Sequence, residues 1–312
     1  MGNPPVSDGN RLVDSGISAL APAIWGSTYL VTTELLPPER PLLAATVRAL
    51  PAGLILLAFG RVLPRGTWWW RALVLGTLNI GGFFVLLFVA AYRLPGGVAA
   101  LVGSVQPMLV LVLAAFLLGD RIRPIHVITC LLGAVGVALL VLKATATLDS
   151  IGIFAALGGS VFMATGIVLT KRWKRPPGVS VLMLTGWQLT AGGLVLVPVV
   201  LTFEGLPSSI NGTNVSGYLY LIAFGSLVGY TVWFRGIERL PAVAISFLGL
   251  LSPIVATILG YLFLTQTLSL LQFIGAVIII AAILTAQLTP VRHKPAPELP
   301  QTDTQPTFPK AA

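Results

Sequence analysis

Long apolar runs separated by short polar loops dominate the chain. A helix needs roughly 20 apolar residues to cross about 30 Å of hydrocarbon. Each run is apolar throughout, whereas a membrane strand would alternate apolar and polar positions over about ten residues. The pattern therefore predicts an all-α membrane protein with ten transmembrane helices. The predicted spans are 17–36, 42–60, 72–92, 97–118, 124–142, 151–170, 180–202, 216–235, 241–264 and 269–288.

Composition excludes a soluble domain. Of the 312 residues, 56% are hydrophobic and 9% are charged, against about 25% charged in soluble domains. The single cysteine, Cys130, excludes an intrachain disulfide and a cysteine metal cluster. We expect no metal and no cofactor.

The distribution of cations predicts the orientation. Fifteen lysines and arginines fall on one side of the predicted membrane, and four, Arg40, Arg48, Arg93 and Lys143, fall on the other. Because cytoplasmic loops carry the basic excess, both termini are predicted to be cytoplasmic, in a multi-pass protein of a bacterial inner membrane. The net charge of +9 is then a topology signal and not a nucleic-acid patch. Residues 1–16 and the proline-rich 289–312 are predicted to be cytoplasmic tails, the second disordered.

One phrase occurs twice in the chain. Arg93–Pro107 reads RLPGGVAALVGSVQP, and Arg239–Pro253 reads RLPAVAISFLGLLSP. The similarity continues into the following spans, so two five-helix repeats are predicted at 17–142 and 143–288. An odd number of helices inverts the second copy relative to the first. Inverted repeats place a substrate site near the bilayer midplane and permit alternating access, which is transporter architecture.

A family resemblance follows from these features. PAIWGSTYLV in the first span, Arg48 early in the second, and the proline-bearing fourth and ninth spans resemble the drug/metabolite transporter superfamily, of the ten-helix EamA type, over residues 17–288. By overall similarity, the sequence resembles those of bacterial exporters of aromatic and other neutral amino acids. The family often ends its fourth and ninth spans with an acidic residue. Here those positions hold Asp120 and Gln266, which argues against a carboxylate pair.

The closing prolines of the repeat predict a structural feature in each copy. Pro107 and Pro253 lie inside their spans and leave unpaired the carbonyls four residues earlier. One interpretation is a helix kink with glycine packing. The other is a polar patch whose carbonyls accept from a substrate ammonium, and the two are compatible. The candidate patch comprises Gln106, Ser252 and the carbonyls of Gly103 and Gly249.

Further candidates are polar or aromatic residues at midspan. Asn79 and Phe83 share a face of the third span; the others are Trp25, Thr28, Thr165 and Tyr230. For each, packing or bonding to a neighbouring helix is the alternative to substrate contact. Gly225 and Gly229 are interpreted as a helix-packing pair.

Arg48 is the charge that lies clearly inside a predicted span. It either extends to the membrane interface or faces a cavity near the outer mouth, where it meets a carboxylate.

An enzyme is disfavoured because no catalytic constellation forms. His126 lies at a span end and His293 in the tail, and there is no P-loop. A channel is the other alternative, although inverted repeats favour a carrier.

The predicted function is export of small neutral or zwitterionic metabolites, most of all aromatic and other neutral amino acids, by a monomer embedded in the lipid bilayer. The alternative is export of lipophilic cations or drugs. Facilitated flux is expected because no membrane-embedded carboxylate or histidine is found near midspan. Sodium bound by freed carbonyls is the alternative.

Overall fold

The computed structural model describes residues 8–94, 96–141 and 149–289. Residues 1–7 of the first predicted tail, Lys143, and residues 290–312 of the second predicted tail lie outside the described residues. In the part described, the secondary structure is helical. The helices are α1 Asp8–Leu35, α2 Pro41–Gly60, α3 Trp68–Gly76, α4 Gly82–Arg93, α5 Gly96–Gly103, α6 Gln106–Leu117, α7 Pro124–Val141, α8 Ser150–Trp173, α9 Val181–Phe203, α10 Gly212–Tyr220, α11 Gly229–Arg239, α12 Ala242–Leu248, α13 Leu251–Phe263 and α14 Leu270–Leu288.

Several of these helices join into longer membrane-crossing units. A π-helical segment, Thr77–Gly81, connects α3 to α4, and a second, Leu221–Val228, connects α10 to α11. Among the described residues, nine helical stretches are long and apolar enough to span a membrane. They correspond to the second to tenth predicted spans.

The first predicted span is a different case. Helix α1 has 28 residues, about 42 Å at 1.5 Å per residue, which is sufficient to cross a bilayer. It is more polar than the other nine and carries Arg11 and Asp14 in its first turns. That it forms a tenth transmembrane helix stays a prediction.

Both proline-bearing spans are interrupted just before their prolines. Helix α5 ends at Gly103 and α6 begins at Gln106, and α12 ends at Leu248 before α13 begins at Leu251. The free carbonyl predicted at Gly249 from the missing N–H of Pro253 is wrong. The Gly249 carbonyl accepts from the Ser252 amide at 3.2 Å, because the chain tightens into a turn at the break.

The helix contacts follow the predicted repeat. Where two spans pack together, the equivalent spans of the other half pack together as well. Helix α4 packs on α8 as α11 packs on α1, and α6 packs on α8 as α13 packs on α1. Helix α2 packs on α9, and α7 on α14, which pair equivalent spans of the two halves.

Glycines bring the equivalent helices α2 and α9 together. Gly53 of α2 lies against the backbone of Thr190, and a Cβ on Gly193 of α9 would lie 2.7 Å from the Leu50 Cβ. Three residues forward on α2 therefore correspond to three residues back on α9, so the two helices run antiparallel. This is the arrangement that an inverted repeat requires.

The outer surface of the helix bundle is apolar. Phe59 is 86% exposed, Phe116 82% and Phe203 80%. Such aromatic side chains are not tolerated in numbers on a soluble surface, and lipid is the medium that fits them. The interior contains tightly packed aromatic and aliphatic side chains together with buried polar groups, including Arg48, Asn79 and Gln188.

Candidate functional site

A cavity of about 650 Å³ lies between the two halves of the bundle. Helices α1, α2 and α4 form most of its wall, and the break between α12 and α13 forms another part. The cavity extends to the loop between α1 and α2, where Pro38 and Glu39 are exposed. It therefore opens at the end of the bundle that carries this loop.

Most of the candidates from the sequence line this cavity, and the structure brings them together from five separate spans. The lining candidates are Trp25, Thr28, Phe83, Gln106, Tyr230, Gly249 and Ser252. Gly103 and Thr165 are partly buried and are absent from the described lining. Asn79 is buried elsewhere, as described below.

Arg48 is part of the cavity wall, and its extension to the membrane interface is wrong. The side chain is 7% exposed, and its Nη2 donates to the Gly225 carbonyl at 3.0 Å. Its Nε donates to the Ser226 hydroxyl at 3.4 Å, and the guanidinium lies 5.1 Å from the Phe84 ring centre. A guanidinium over an aromatic face is attracted by the ring quadrupole. These contacts hold the cation inside the bundle.

The acceptors for Arg48 belong to the second π-helical segment. Gly225 and Ser226 lie within Leu221–Val228, where the wider turn changes the backbone bonding pattern. The same Gly225 carbonyl accepts from Trp25 Nε1 at 2.9 Å. Besides the helix packing predicted for Gly225, its carbonyl binds both a cation and an indole. Periodicity gives no signal for a π-helical turn, so this role was missed.

An aromatic cluster continues from this anchor. The ring of Trp25 lies 5.1 Å from that of Tyr230 and 5.2 Å from that of Trp233. All three residues line the cavity. Tilted aromatic pairs at such distances stabilise one another beyond their buried area. We call the surface formed by the rings of Trp25, Tyr230 and Trp233 the aromatic floor of the cavity.

Two polar atoms beside this floor have no protein partner in the part of the chain that the structure describes. They are the Trp233 indole nitrogen and the Thr28 hydroxyl, both buried and both on residues of the lining. A buried polar atom without a partner costs about 1–3 kcal/mol.

Asn79 belongs to a separate polar cluster. Its Nδ2 donates to the Gln188 Oε1 at 2.8 Å and to the Thr170 hydroxyl at 3.3 Å. Asn79 is 1% exposed, Gln188 0% and Thr170 3%. The structure places Asn79 in contact with neighbouring helices, which is the alternative that the sequence left open, and away from the cavity lining.

The end of the bundle opposite the cavity mouth is closed by charged contacts. Asp14, near the start of α1, accepts from Arg235 at 2.6 Å and from Arg239 at 3.4 Å. Lys171 of α8 donates to the Ile237 carbonyl at 3.0 Å and to the Leu240 carbonyl at 2.5 Å. These bonds connect α1 and α8 to the last turn of α11. We call the Asp14, Lys171, Arg235 and Arg239 contacts the closed-end cluster.

No group of three histidine, cysteine or acidic side chains that suits a metal occurs within the described ranges. The arrangement is that of a binding cavity with one open and one closed end.

Comparison with known proteins now identifies the family. The model of the EamA-like transporter family matches residues 16–142 and again residues 150–286. The chain belongs to the EamA-like transporter family. It is a multi-pass membrane transporter of the drug/metabolite transporter superfamily, as the resemblance indicated, and its family is not one of enzymes.

Individual relatives agree with this assignment. This EamA-like transporter is 50% identical over 267 residues to Protein PecM of Dickeya dadantii, covering 86% of this chain and 90% of that protein. It is 26% identical to a probable amino-acid metabolite efflux pump of Salmonella typhimurium, over 86% of this chain and 93% of the relative. A solved crystal structure with 22% identity matches 88% of this chain and 96% of that one with a TM-score of 0.76, which shows the same fold.

Proposed function

We propose that this transporter exports small neutral or zwitterionic metabolites that carry an apolar or aromatic part. Aromatic and other neutral amino acids are the substrates that we expect first. The observation that carries the proposal is the cavity itself, whose wall combines the rings of Trp25, Phe83 and Tyr230 with the amide of Gln106 and the hydroxyl of Ser252.

The size of the cavity supports a small substrate. Its volume of about 650 Å³ lies within the 300–1,000 Å³ that is typical of sites for small molecules. Aromatic walls favour an apolar side chain, and the hydroxyl and amide groups offer hydrogen bonds to polar ends. A relative named as a probable amino-acid metabolite efflux pump points to the same class.

Export of lipophilic cations is the second candidate. A binding site for such cations is favoured by a buried carboxylate, and the acidic residue of the described lining is Glu39, which is exposed at the mouth. The charge deeper in the wall is the cation Arg48. Coulomb repulsion in a partly desolvated cavity opposes cation binding, so the amino-acid proposal is favoured.

Alternating access is the mechanism that we propose. The antiparallel packing of α2 on α9 supports two inverted repeats that rock about the cavity. With the termini cytoplasmic, as the cation distribution predicts, the cavity mouth faces the periplasm and the closed-end cluster faces the cytoplasm of a bacterial inner membrane. Closure of the mouth and opening of the opposite end let the cavity take up substrate from the cytoplasm, and the reverse change releases it outside. The described lining comes from one copy of the chain, which is consistent with a monomer.

We propose facilitated flux, in which the substrate moves down its own concentration gradient without a coupled ion. A zwitterion that crosses without a co-ion moves no net charge, so the membrane potential adds almost nothing to its transport. The sodium alternative required free carbonyls at the two helix breaks, and the Gly249 carbonyl is occupied by the Ser252 amide.

Transport by the purified protein tests the function. Proteoliposomes are loaded with a panel of labelled amino acids or with a cationic dye, at equal pH on both sides and without sodium. We expect efflux of aromatic and neutral amino acids and no efflux of the dye beyond that of empty liposomes. Transport of the dye alone would refute the amino-acid proposal and establish the second candidate. In a second run a proton gradient is imposed, and accumulation against the amino-acid gradient that a protonophore abolishes would refute facilitated flux.

A further inference from the structure

The charges in the cavity wall are unevenly distributed along its depth. Among the described residues, three charged ones line the cavity: Glu39, Arg40 and Arg48. Arg40 is at the mouth, where its Nη1 donates to the carbonyls of Glu204 and Gly205 at 2.5 and 2.9 Å. Arg48 lies two turns further along α2, about 12 Å deeper. The deep part of the described wall therefore carries a positive charge.

Arg48 has no counter-charge in the part of the chain that the structure describes. Its two hydrogen bonds go to a neutral carbonyl and a neutral hydroxyl, and none of the salt bridges among the described residues includes it. A guanidinium carries five N–H groups in a planar fork, so donors remain after these two bonds. A guanidinium that is 7% exposed and has no counter-charge among the described residues is costly in a membrane protein, which makes Arg48 a candidate binding residue.

Arg48 and the aromatic floor are adjacent. Arg48 Nη2 and Trp25 Nε1 donate to the same Gly225 carbonyl, at 3.0 and 2.9 Å. Trp25 in turn contacts Trp233, whose indole N–H has no partner in the described structure. The cavity therefore presents a cation beside aromatic faces. An anionic group attached to an apolar body matches this surface.

We infer that Arg48 binds the carboxylate of the transported molecule and that this contact selects carboxylate-bearing compounds against amines and uncharged amides. The inference rests on the proposal that this cavity holds the substrate. A planar carboxylate accepts two parallel N–H bonds from a guanidinium. One cation balances one carboxylate, so zwitterions and monoanions are accepted and monocations are rejected.

A binding experiment tests this without transport. The purified transporter is titrated with L-phenylalanine, with L-phenylalaninamide and with phenylpropionate, and binding is followed by the tryptophan fluorescence of the cavity. In the wild type, the two carboxylates should bind at least tenfold more tightly than the amide, because a hydrogen bond to a charged group is lost with the amide. Arg48→Gln should reduce carboxylate affinity at least tenfold and should not reduce amide affinity, since the amide has no carboxylate and its α-amine is repelled by the wild-type guanidinium.

Two further variants separate charge from geometry. Arg48→Lys keeps the charge but loses the planar fork, so carboxylate affinity should fall between the wild type and Arg48→Gln. Arg65→Gln removes the same charge from an exposed loop position and should retain the wild-type profile. Size-exclusion chromatography of each variant reports whether it folds.

Each outcome decides the inference. Equal wild-type affinity for phenylalanine and its amide overturns it, even if phenylalanine is transported. Undiminished carboxylate preference in Arg48→Gln also overturns it, as does the absence of carboxylate binding in the wild type. If phenylpropionate and phenylalanine bind through Arg48 but liposomes transport no amino acid, the inference holds and the proposed function fails. If Arg48→Gln does not fold, the wild-type panel and Arg48→Lys decide.

Discussion

The closed-end cluster should stabilise the state with an open mouth relative to the state in which the opposite end is open. Asp14→Asn tests this. The Asp14 side chain is 8% exposed and lies 2.6 Å from Arg235, which is 26% exposed. A hydrogen bond between charged groups contributes about 1.5–3 kcal/mol when shielded, and partial exposure of the arginine lowers this. We expect a loss of about 1–2 kcal/mol in the stability of the closed end, which changes the ratio of the two states about 5- to 30-fold.

Accessibility of the cavity measures this ratio. Thr32 lines the cavity and can carry a reporter cysteine in a Cys130→Ser background, since Cys130 is the single native cysteine. A membrane-impermeant maleimide added from the mouth side should label Thr32→Cys more slowly when Asp14→Asn is added, because the open-mouth state is less populated.

A graded control accompanies this variant. Arg239 is 56% exposed and lies 3.4 Å from Asp14, so Arg239→Gln should cost less than about 1 kcal/mol and slow labelling much less. Unchanged or faster labelling in Asp14→Asn would refute the role of the cluster, because a contact that closes this end must favour the open mouth.

Three further variants test other parts of the structure. Gln106→Ala should lower transport several-fold without lowering membrane insertion, since it removes a cavity amide and keeps the helix break; wild-type rates across the panel would refute its contact with substrate. Asn79→Ala should lower the detergent unfolding temperature more than Gln106→Ala, because it leaves the buried Gln188 amide without its partner; equal temperatures would contradict this. Gly193→Ala should destabilise the fold by about 1–3 kcal/mol, since its Cβ would lie 2.7 Å from Leu50. The control Gly16→Ala has open space around it and should be neutral or stabilising. Equal thermal stability of the two variants would contradict the close packing of α2 on α9.

Sequence alone determined the features that depend on chain-local physics. A run of about 20 apolar residues has no stable place outside a bilayer and no other way to satisfy its backbone than a helix. The nine described spans follow from this, and the missing N–H of Pro107 and Pro253 favours the helix breaks just before them. The duplicated phrase indicated the repeat, and PAIWGSTYLV, Arg48 and the proline-bearing fourth and ninth spans indicated the family.

Tertiary structure decided which face of each helix meets the cavity. The spans are apolar all round, so periodicity does not distinguish a face toward lipid from a face toward a neighbour or a cavity. Gln106 and Asn79 looked equivalent in the sequence, yet packing turns the first toward the cavity and the second toward Gln188. Arg48 acquired its place from the carbonyl of a π-helical turn 177 residues away, because only the folded bundle brings the two together.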